Sequence, residues 1–513
     1  MKHIRISEGG RPVGVEGASL EEVAAALRDK GGHQRVLIHA HGGLVGRDEG
    51  LAIAGRLAAG PYRDLDCPMV FPVWQSDVLT TVKTNLGALA KRPALLDVLG
   101  ALLDWALGKV GGQNARSSDE QGISEDELKD LLADFECAVE EPGEAKGVAD
   151  WLRDAELDLS RDDPAKDAAD EKALTEAIER SPAVHAVAEA IESRFGPSAD
   201  SGRGDGATAD EVDALLASLH PELAAELIAG ARTGELESDR SFAGSALALY
   251  FGRKAVTAAR ATLKRYRRGR DHGLWPTLVE EAVRVLLAGD LATGVWEEMK
   301  GNARKCFSKG GDLVPVLKAL DKVHTDLKSQ GGSLTLMLCG HSAGAIWHCQ
   351  MLLALARAKQ LTDAAIDLVF LAPAVDYELF TLALGASAPK IRRFRTFAMT
   401  DEAERADRML GRFYPRSLLY LVSGLLEAGE ADDLLVGLER SWRLDADALS
   451  EVEVNRHTVA SLLLGRDGAF LFGPTGPESQ PPDSSHADAH GEFDRDEATL
   501  ASVAAFLDAA PVG

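Results

Sequence analysis

The sequence has few cysteines, and they form no pattern that would bind zinc or build a disulfide framework. Among 513 residues there are five, an odd number, and no two of them make a C-x-x-C pair. They are scattered along the chain at Cys67, Cys137, Cys306, Cys339 and Cys349. Such usage is typical of a reducing compartment, where disulfides rarely persist. We therefore expect a cytoplasmic protein.

Long apolar runs are also missing. No stretch approaches the roughly 18–20 consecutive apolar residues that cross a membrane. The first six residues, Met1–Ile6, alternate polar and apolar side chains like a strand and lack the apolar run of a signal peptide. Hydrophobic residues still make up 45% of the chain, enough for a sizeable core, although only 5% of the residues are aromatic. We expect a soluble protein without a transmembrane segment.

Positive charge is scarce as well. Asp and Glu number 81 against 56 Lys and Arg, which gives a formal net charge of −25 at pH 7. Because such a surface repels phosphates, we expect no nucleic-acid partner. The basic run Arg265–Arg270 stands out in this acidic chain. It is typical of a solvated helix face, and the alternative is a site for an anionic head group or an acidic partner.

The most informative stretch that is present is Leu334–Gly344, which reads LTLMLCGHSAG. It predicts a short buried strand that enters a G-x-S-x-G turn. A helix should follow over 345–358, where apolar residues recur at helical spacing. In this context the turn presents the Ser342 hydroxyl at its tip, and Gly340 and Gly344 leave room where strand and helix pass closely. We predict that Ser342 is a nucleophile; the alternative is an ordinary strand-to-helix turn.

Further strands and helices alternate on both sides of this stretch. Apolar runs predict strands at 2–7, 35–40, 67–74, 365–372 and 392–399, and a short one within 458–473. Helical patterns predict helices at 19–27, 48–59, 312–329, 417–427 and 497–507. Alternation of this kind implies an α/β fold with a doubly wound, mostly parallel sheet that is covered on both faces.

A long segment without strand patterns interrupts this alternation. Residues 79–110 and 241–307 are predicted to form amphipathic helices, while 112–210 is rich in acidic and small residues and is predicted to be mobile in part. We therefore expect 1–76 and 312–513 to form one core and 77–311 to be a large helical insertion or cap.

A serine hydroxyl becomes a good nucleophile only with a histidine base, an acid that orients the histidine, and donors for the oxyanion. Candidates for all of these occur in the order oxyanion loop, serine, acid, histidine: 41–43, Ser342, Asp401 and His490. With this order the sequence resembles the α/β-hydrolase superfamily over about half of the chain. It also resembles a bacterial lipase- or esterase-like branch of that superfamily at 414–423 and 490–494.

The resemblance implies an oxyanion hole. The N–H of Ala343 and an N–H from Gly43 or Leu44 should bind the oxyanion, and each such donor contributes on the order of 3 kcal/mol. His41, which begins this loop, is expected to shape it rather than to react.

The resemblance also implies an acid and a base. Asp401 is the first candidate for the acid because it ends a strand between the serine and the histidine, and Asp376 and Glu402 are alternatives. His490 is the first candidate for the base because it lies in the loop before the final helix. His457 is the second, since Val454–His457 could end a strand, and His486 is the third.

Two histidine patterns resemble metal ligands. They are His39-x-His41 and His486-x-Asp488-x-His490. A metallo-hydrolase of the H-x-H-x-D-H kind needs an aspartate and a histidine shortly after its second histidine, and Gly43 and Leu44 stand there instead. We expect neither a catalytic metal nor another cofactor.

The sequence thus predicts a serine hydrolase with a Ser342–His490–Asp401 triad. The expected substrate is a small or lipid-like carboxylic ester, and the helical insertion is expected to act as a lid. Two alternatives stay open: a thioesterase or peptidase of the same fold, and an inactive hydrolase scaffold that binds or regulates a partner. The sequence does not determine the oligomeric state.

Overall fold

The computed structural model describes the chain in several stretches. These are residues 3–6, 20–43, 45–74, 164–180, 182–195, 242–267, 270, 272–286, 289–410, 414–427, 432–444 and 449–509, with a few helical positions between 213 and 232. Contacts divide the chain into two compact units. The first comprises Met1–Val82, Gly294–Met409 and Arg416–Gly513, and the second comprises Lys83–Thr293 and Leu410–Pro415.

In its described residues, the first unit contains one sheet of seven strands in which all pairs are parallel. The strands are β1 His3–Ile6, β2 His33–Ala40, β3 Met69–Pro72, β4 Ser333–His341, β5 Ala365–Leu371, β6 Ile391–Met399 and β7 Phe470–Gly473. Their order across the sheet is β1-β3-β2-β4-β5-β6-β7. This confirms the prediction of a mostly parallel sheet accompanied by helices.

Strand β4 lies in the middle of this sheet, between β2 and β5. All its residues after Ser333 are buried, as expected for an apolar strand with a neighbour on each side. Its register pairs Ala40 with Gly340 and His341 with Leu371. The loops that follow parallel strands lie at one edge of the sheet, which is where such folds bind ligands. The residue after β4 is Ser342.

In chain order, the helices of the described residues are α1 Leu20–Lys30, α2 Arg47–Ala59, α3 Pro164–Glu179, α4 Pro182–Phe195, α5 Phe242–Arg267, α6 Leu274–Leu286, α7 Gly289–Cys306, α8 Val314–Ser329, α9 Ala343–Ala358, α10 Tyr377–Ser387, α11 Asp401–Ala406, α12 Leu418–Leu421, α13 Glu439–Arg443, α14 Glu451–Leu464 and α15 Glu497–Asp508. A π-helical turn, Val422–Leu426, continues α12. Within the described part of the chain, every helix is too short or too polar to cross a bilayer.

One predicted element is wrong. The segment 454–457, which was expected to be able to end a strand, lies inside α14, and the strand of this region is β7. The cause is local: Ser450 accepts a hydrogen bond from the Glu453 N–H, and the Glu453 side chain accepts one from the Ser450 N–H. This capping box begins a helix at Glu451.

The described part of the second unit is helical. Helix α5 packs against α3, α4 and α6. A Cβ added at Gly252 of α5 would lie 2.1 Å from Thr175 Oγ1 of α3, so a side chain would not fit at this crossing. Helices α3 and α4 fall within the segment that was predicted to be partly mobile. The predicted helices over 79–110 lie outside the described residues, and so does the part of the acidic segment from 112 to 163.

The first residue of the basic run, Arg265, does not lie on a solvated face. Arg265 is buried, and its guanidinium donates to Glu280 Oε2 at 2.5 Å and to Glu281 Oε1 at 2.7 Å. The two carboxylates of α6 thus neutralise this arginine, which leaves it unavailable to an anionic ligand. Residues 268, 269 and 271 lie outside the described part of the chain.

Candidate active site

The centre of the site is the turn between β4 and α9. Ser342 occupies this turn with φ 51° and ψ −116°, a backbone conformation that residues other than glycine rarely adopt. Hydrogen bonds on both sides of the serine hold the turn. Its N–H donates to the Leu371 carbonyl at 2.8 Å, and its carbonyl accepts from the N–H groups of Ala345 at 3.0 Å and Ala374 at 3.1 Å. The end of β5 therefore fixes the backbone of Ser342.

The two glycines of the motif are needed for close packing. A Cβ added at Gly340 would lie 2.8 Å from the main-chain carbon of Gly344. A Cβ added at Gly344 would lie 2.2 Å from the main-chain oxygen of Ala40 in β2. Because these are backbone atoms, they cannot move aside as a flexible side chain would. The structure thus gives the physical reason for the small residues on both sides of Ser342.

His490 lies against the serine. Its Nε2 is 2.9 Å from Ser342 Oγ, and both side chains are buried. Burial, with a further contribution from His341, lowers the pKa of His490 to about 3, so the ring is neutral near pH 7. A neutral ring can accept the Ser342 proton at Nε2 when its own proton is on Nδ1. Among the sequence candidates for the base, His490 is the one that the structure brings to Ser342.

The loop that positions His490 is tied to the last helix. It follows β7 and begins a 3₁₀ turn, His490–Glu492, shortly before α15. Hydroxyl pairs connect the two elements: Ser484 Oγ lies 3.0 Å from Ser502 Oγ, and Ser485 Oγ lies 2.7 Å from Thr499 Oγ1. These buried polar contacts fix where the loop approaches the sheet.

A carboxylate that the sequence did not single out contacts the same histidine. Asp407 Oδ2 accepts the main-chain N–H of His490 at 3.0 Å. The His490 Nδ1 atom is buried and has no hydrogen-bond partner among the described residues. Asp407 comes directly after α11, eight positions beyond the end of β6. Its place between serine and histidine in the chain was the available signal, but Asp401, six positions earlier at the start of α11, fitted that signal equally well.

That earlier carboxylate, Asp401, is used elsewhere. One of its oxygens accepts from the Tyr420 hydroxyl and the other accepts from Arg405 Nε at 2.9 Å. Its main-chain N–H donates to Glu439 at 2.7 Å. In the contacts of the described residues Asp401 does not meet His490.

The two alternative acids do not meet His490 in those contacts either. Asp376 caps α10, where its Oδ1 accepts the Leu379 N–H at 2.6 Å. Glu402 lies on the exposed side of α11. Asp376 therefore has a local structural role at the start of a helix.

The loop after β2 runs beside the serine. A Cβ added at Gly42 would lie 3.3 Å from Ser342 Cβ and 3.2 Å from His341 Nδ1. Gly43 is next in this loop and is half-buried, while Leu44 lies outside the described residues. On the other side, Ala343 begins α9, and the first N–H groups of a helix have no acceptor within the helix. The candidate oxyanion donors Gly43 and Ala343 thus belong to the two segments that flank Ser342.

His41 holds the shape of this loop. Its Nδ1 lies 2.9 Å from the Gly42 carbonyl, and its Nε2 accepts the Trp74 N–H at 3.3 Å. Trp74 Nε1 donates back to the His41 carbonyl at 3.3 Å, and the two rings stack. Burial lowers the pKa of His41 to about 4. The ring is therefore neutral and engaged at both nitrogens, which suits a structural role.

The other candidate histidines make their described contacts elsewhere. His457 on α14 stacks between Tyr377, with ring centroids 4.6 Å apart, and Trp442, at 5.8 Å. His486 is exposed. His39 is buried in β2 with its Nδ1 3.1 Å from the Tyr62 hydroxyl. In the described contacts neither His457 nor His486 approaches Ser342.

Comparisons of this chain with family models, with curated proteins and with solved structures found no match.

Proposed function

We propose that this protein is a serine hydrolase with an α/β-hydrolase fold, in which a doubly wound sheet is interrupted by a large helical insertion. The observation that supports this most directly is the 2.9 Å contact between Ser342 Oγ and His490 Nε2, at a backbone angle that puts the hydroxyl on the tip of a strand-to-helix turn. A buried neutral imidazole next to a hydroxyl is the arrangement that a base-activated nucleophile needs.

The proposed reaction proceeds through side chains and main-chain N–H groups of this site. Ser342 Oγ attacks the ester carbonyl carbon while His490 Nε2 takes the hydroxyl proton, and the carbonyl oxygen becomes an oxyanion that the N–H groups of Ala343 and Gly43 bind. When the tetrahedral intermediate collapses, His490 gives its proton to the departing alcohol and an acyl-serine is left. Water then attacks the acyl-serine with His490 as the base again, which releases the acid and restores the serine.

We assign the orienting acid to Asp407 in place of Asp401. Asp407 already binds the main chain of His490, whereas both carboxylate oxygens of Asp401 are bound to other side chains. The low pKa of His490 means that forming its imidazolium is costly, and a carboxylate at its Nδ1 offsets that cost. We expect the Asp407 carboxylate to accept from Nδ1 as well when the ring becomes charged, while it keeps its hydrogen bond from the His490 N–H.

The substrate that fits this proposal is a carboxylic ester. An alcohol leaves a tetrahedral intermediate more readily than an amine, so an ester makes a smaller demand on the base than a peptide bond does. A thioester or peptide bond is the alternative within the same chemistry. The role of the helical insertion as a lid that selects substrates stays a prediction.

Labelling with a fluorophosphonate tests the proposal, because this reagent reacts covalently with an activated serine. The wild-type chain should be labelled, and Ser342→Ala should not be. Ser461→Ala is a matched control, since Ser461 lies on α14 with its hydroxyl bound to the Thr458 carbonyl. This variant should be labelled like the wild type. An unlabelled wild-type chain, or a Ser342→Ala variant that keeps the label, would favour the inactive scaffold that binds a partner.

A further inference from the structure

His341, the residue before the serine, contacts the base directly. Its Nε2 lies 3.1 Å from the main-chain oxygen of His490, and the two ring centroids are 5.6 Å apart. A carbonyl oxygen can only accept, so the His341 Nε2 carries the proton of this hydrogen bond. The side chain is buried, which protects the bond from exchange with water.

The same ring contacts the other loop of the site. The 3.2 Å distance between His341 Nδ1 and a Cβ added at Gly42 shows that the imidazole lies against that glycine. His341 therefore lies between the candidate oxyanion loop and the loop of the base. His341 is the last residue of β4, and its backbone pairs with Leu371 of β5. The ring therefore extends from a residue that is held in the sheet.

The His490 residue is consequently held at three atoms. Asp407 binds its N–H at 3.0 Å, His341 binds its carbonyl oxygen at 3.1 Å, and Ser342 binds its Nε2 at 2.9 Å. The amide nitrogen and the carbonyl group flank the same Cα atom. Fixing both of them fixes the direction of the Cα–Cβ bond, and this direction decides where the imidazole points.

We propose that His341 is a positioning residue for the base: its hydrogen bond to the His490 carbonyl, opposite that of Asp407, aligns the imidazole with Ser342. This inference rests on the proposed hydrolase function for its catalytic consequence. The geometric part, that His341 holds His490 in one position, does not require the protein to be active.

Two substitutions separate the hydrogen bond from the volume of the ring. His341→Gln places an amide N–H near the position of Nε2 and keeps the donor, whereas His341→Phe keeps a ring and loses the donor. Loss of one hydrogen bond that aligns a base should lower kcat about tenfold in His341→Phe with KM nearly unchanged, and His341→Gln should restore most of it. His324→Gln on α8, where the ring contacts Asp363 at 2.8 Å, is the control and should behave as wild type.

The first measurement is kcat and KM for a p-nitrophenyl ester, together with the rate of fluorophosphonate labelling. The second is NMR of chains labelled at histidine, which does not depend on activity. His490 should give one sharp ring resonance in the wild type and in His341→Gln, and a broadened or doubled one in His341→Phe. Thermal midpoints identify any variant that has lost its fold.

The outcomes separate the two proposals. If the wild type is not labelled, the hydrolase proposal is wrong, and the NMR comparison still decides whether His341 holds His490. If the wild type is labelled while His341→Phe matches it in kcat and in the His490 resonance, the inference is wrong and the hydrolase proposal stands. The inference is also wrong if His341→Gln is as impaired as His341→Phe, because the donor would then not explain the effect.

Discussion

Replacement of Asp407 by asparagine removes the charge next to the base and keeps an oxygen that can accept the His490 N–H. The magnitude follows from the site. The pKa of His490 is about 3, against an ordinary value near 6.5, so charging this ring costs roughly 5 kcal/mol more than charging an exposed histidine. In the proposed charged state, with the Asp407 carboxylate accepting from Nδ1, a separation of about 4 Å between the two charges at an effective dielectric constant near 20 offsets about 4 kcal/mol of this cost. Asp407→Asn should therefore lower kcat about a thousandfold.

The assay is hydrolysis of a p-nitrophenyl ester at saturating substrate, with Asp401→Asn as the matched control. Asp401 begins α11, the helix that Asp407 follows, but its oxygens bind Tyr420 and Arg405, so its loss should change kcat only a few-fold. The two proteins should share the KM of the wild type, because neither carboxylate is expected to bind the substrate. If Asp401→Asn lowers kcat a thousandfold and Asp407→Asn lowers it only slightly, the reasoning is wrong and Asp401 is the acid.

Two further predictions concern stability. Gly344→Ala should destabilise the protein by several kcal/mol in urea unfolding, because the new Cβ would lie 2.2 Å from the Ala40 main-chain oxygen. A Cβ at Gly385 on α10 would meet nothing within 4 Å, so Gly385→Ala should stabilise the protein by about 0.5–1 kcal/mol. Equal effects of these two alanines would contradict the close-packing argument. Burial, and to a lesser extent the charge of Asp407, raises the pKa of Glu404 well above its ordinary value. Above about pH 4.5 the Glu404 carboxyl group is therefore protonated in the folded protein and ionised in the unfolded chain. Stability should therefore fall as the pH rises beyond that point, by up to about 1.4 kcal/mol per pH unit, and Glu404→Gln should flatten the dependence measured from pH 5 to 8.

The strand-turn-helix around Ser342 could be predicted because its signals are local. An apolar strand, two glycines and a helical pattern stand next to one another in the chain, and β4 and α9 form where they were expected. The approach of His490 to Ser342 was predictable for a related reason, since the loop that contains His490 precedes a clear final helix. The capping box of Ser450 and Glu453 is an equally local signal, and it marks the start of α14 in the sequence.

Which carboxylate contacts His490 could not be predicted from the sequence, because this depends on side chains from distant segments. Asp401 begins the short helix α11 and Asp407 directly follows it, so either carboxylate could have faced His490. Tyr420, nineteen positions after Asp401, binds one of its oxygens, and Arg405 binds the other. The pairing of Arg265 with Glu280 and Glu281 is a similar case. A basic run in an acidic chain predicts a solvated helix face, and the sequence does not show that carboxylates of the next helix contact Arg265.

The backbone angle of Ser342 also bears on how natural selection has acted on this chain. A residue with a Cβ at φ 51° and ψ −116° is strained, at a cost of about 1–3 kcal/mol, and glycine would adopt the same angles with little strain. Sequences selected only for folding would accumulate glycine at this position. This chain has a serine there and so gives up stability in every copy that folds, which is the cost that the proposed nucleophile would carry for placing its hydroxyl at the turn.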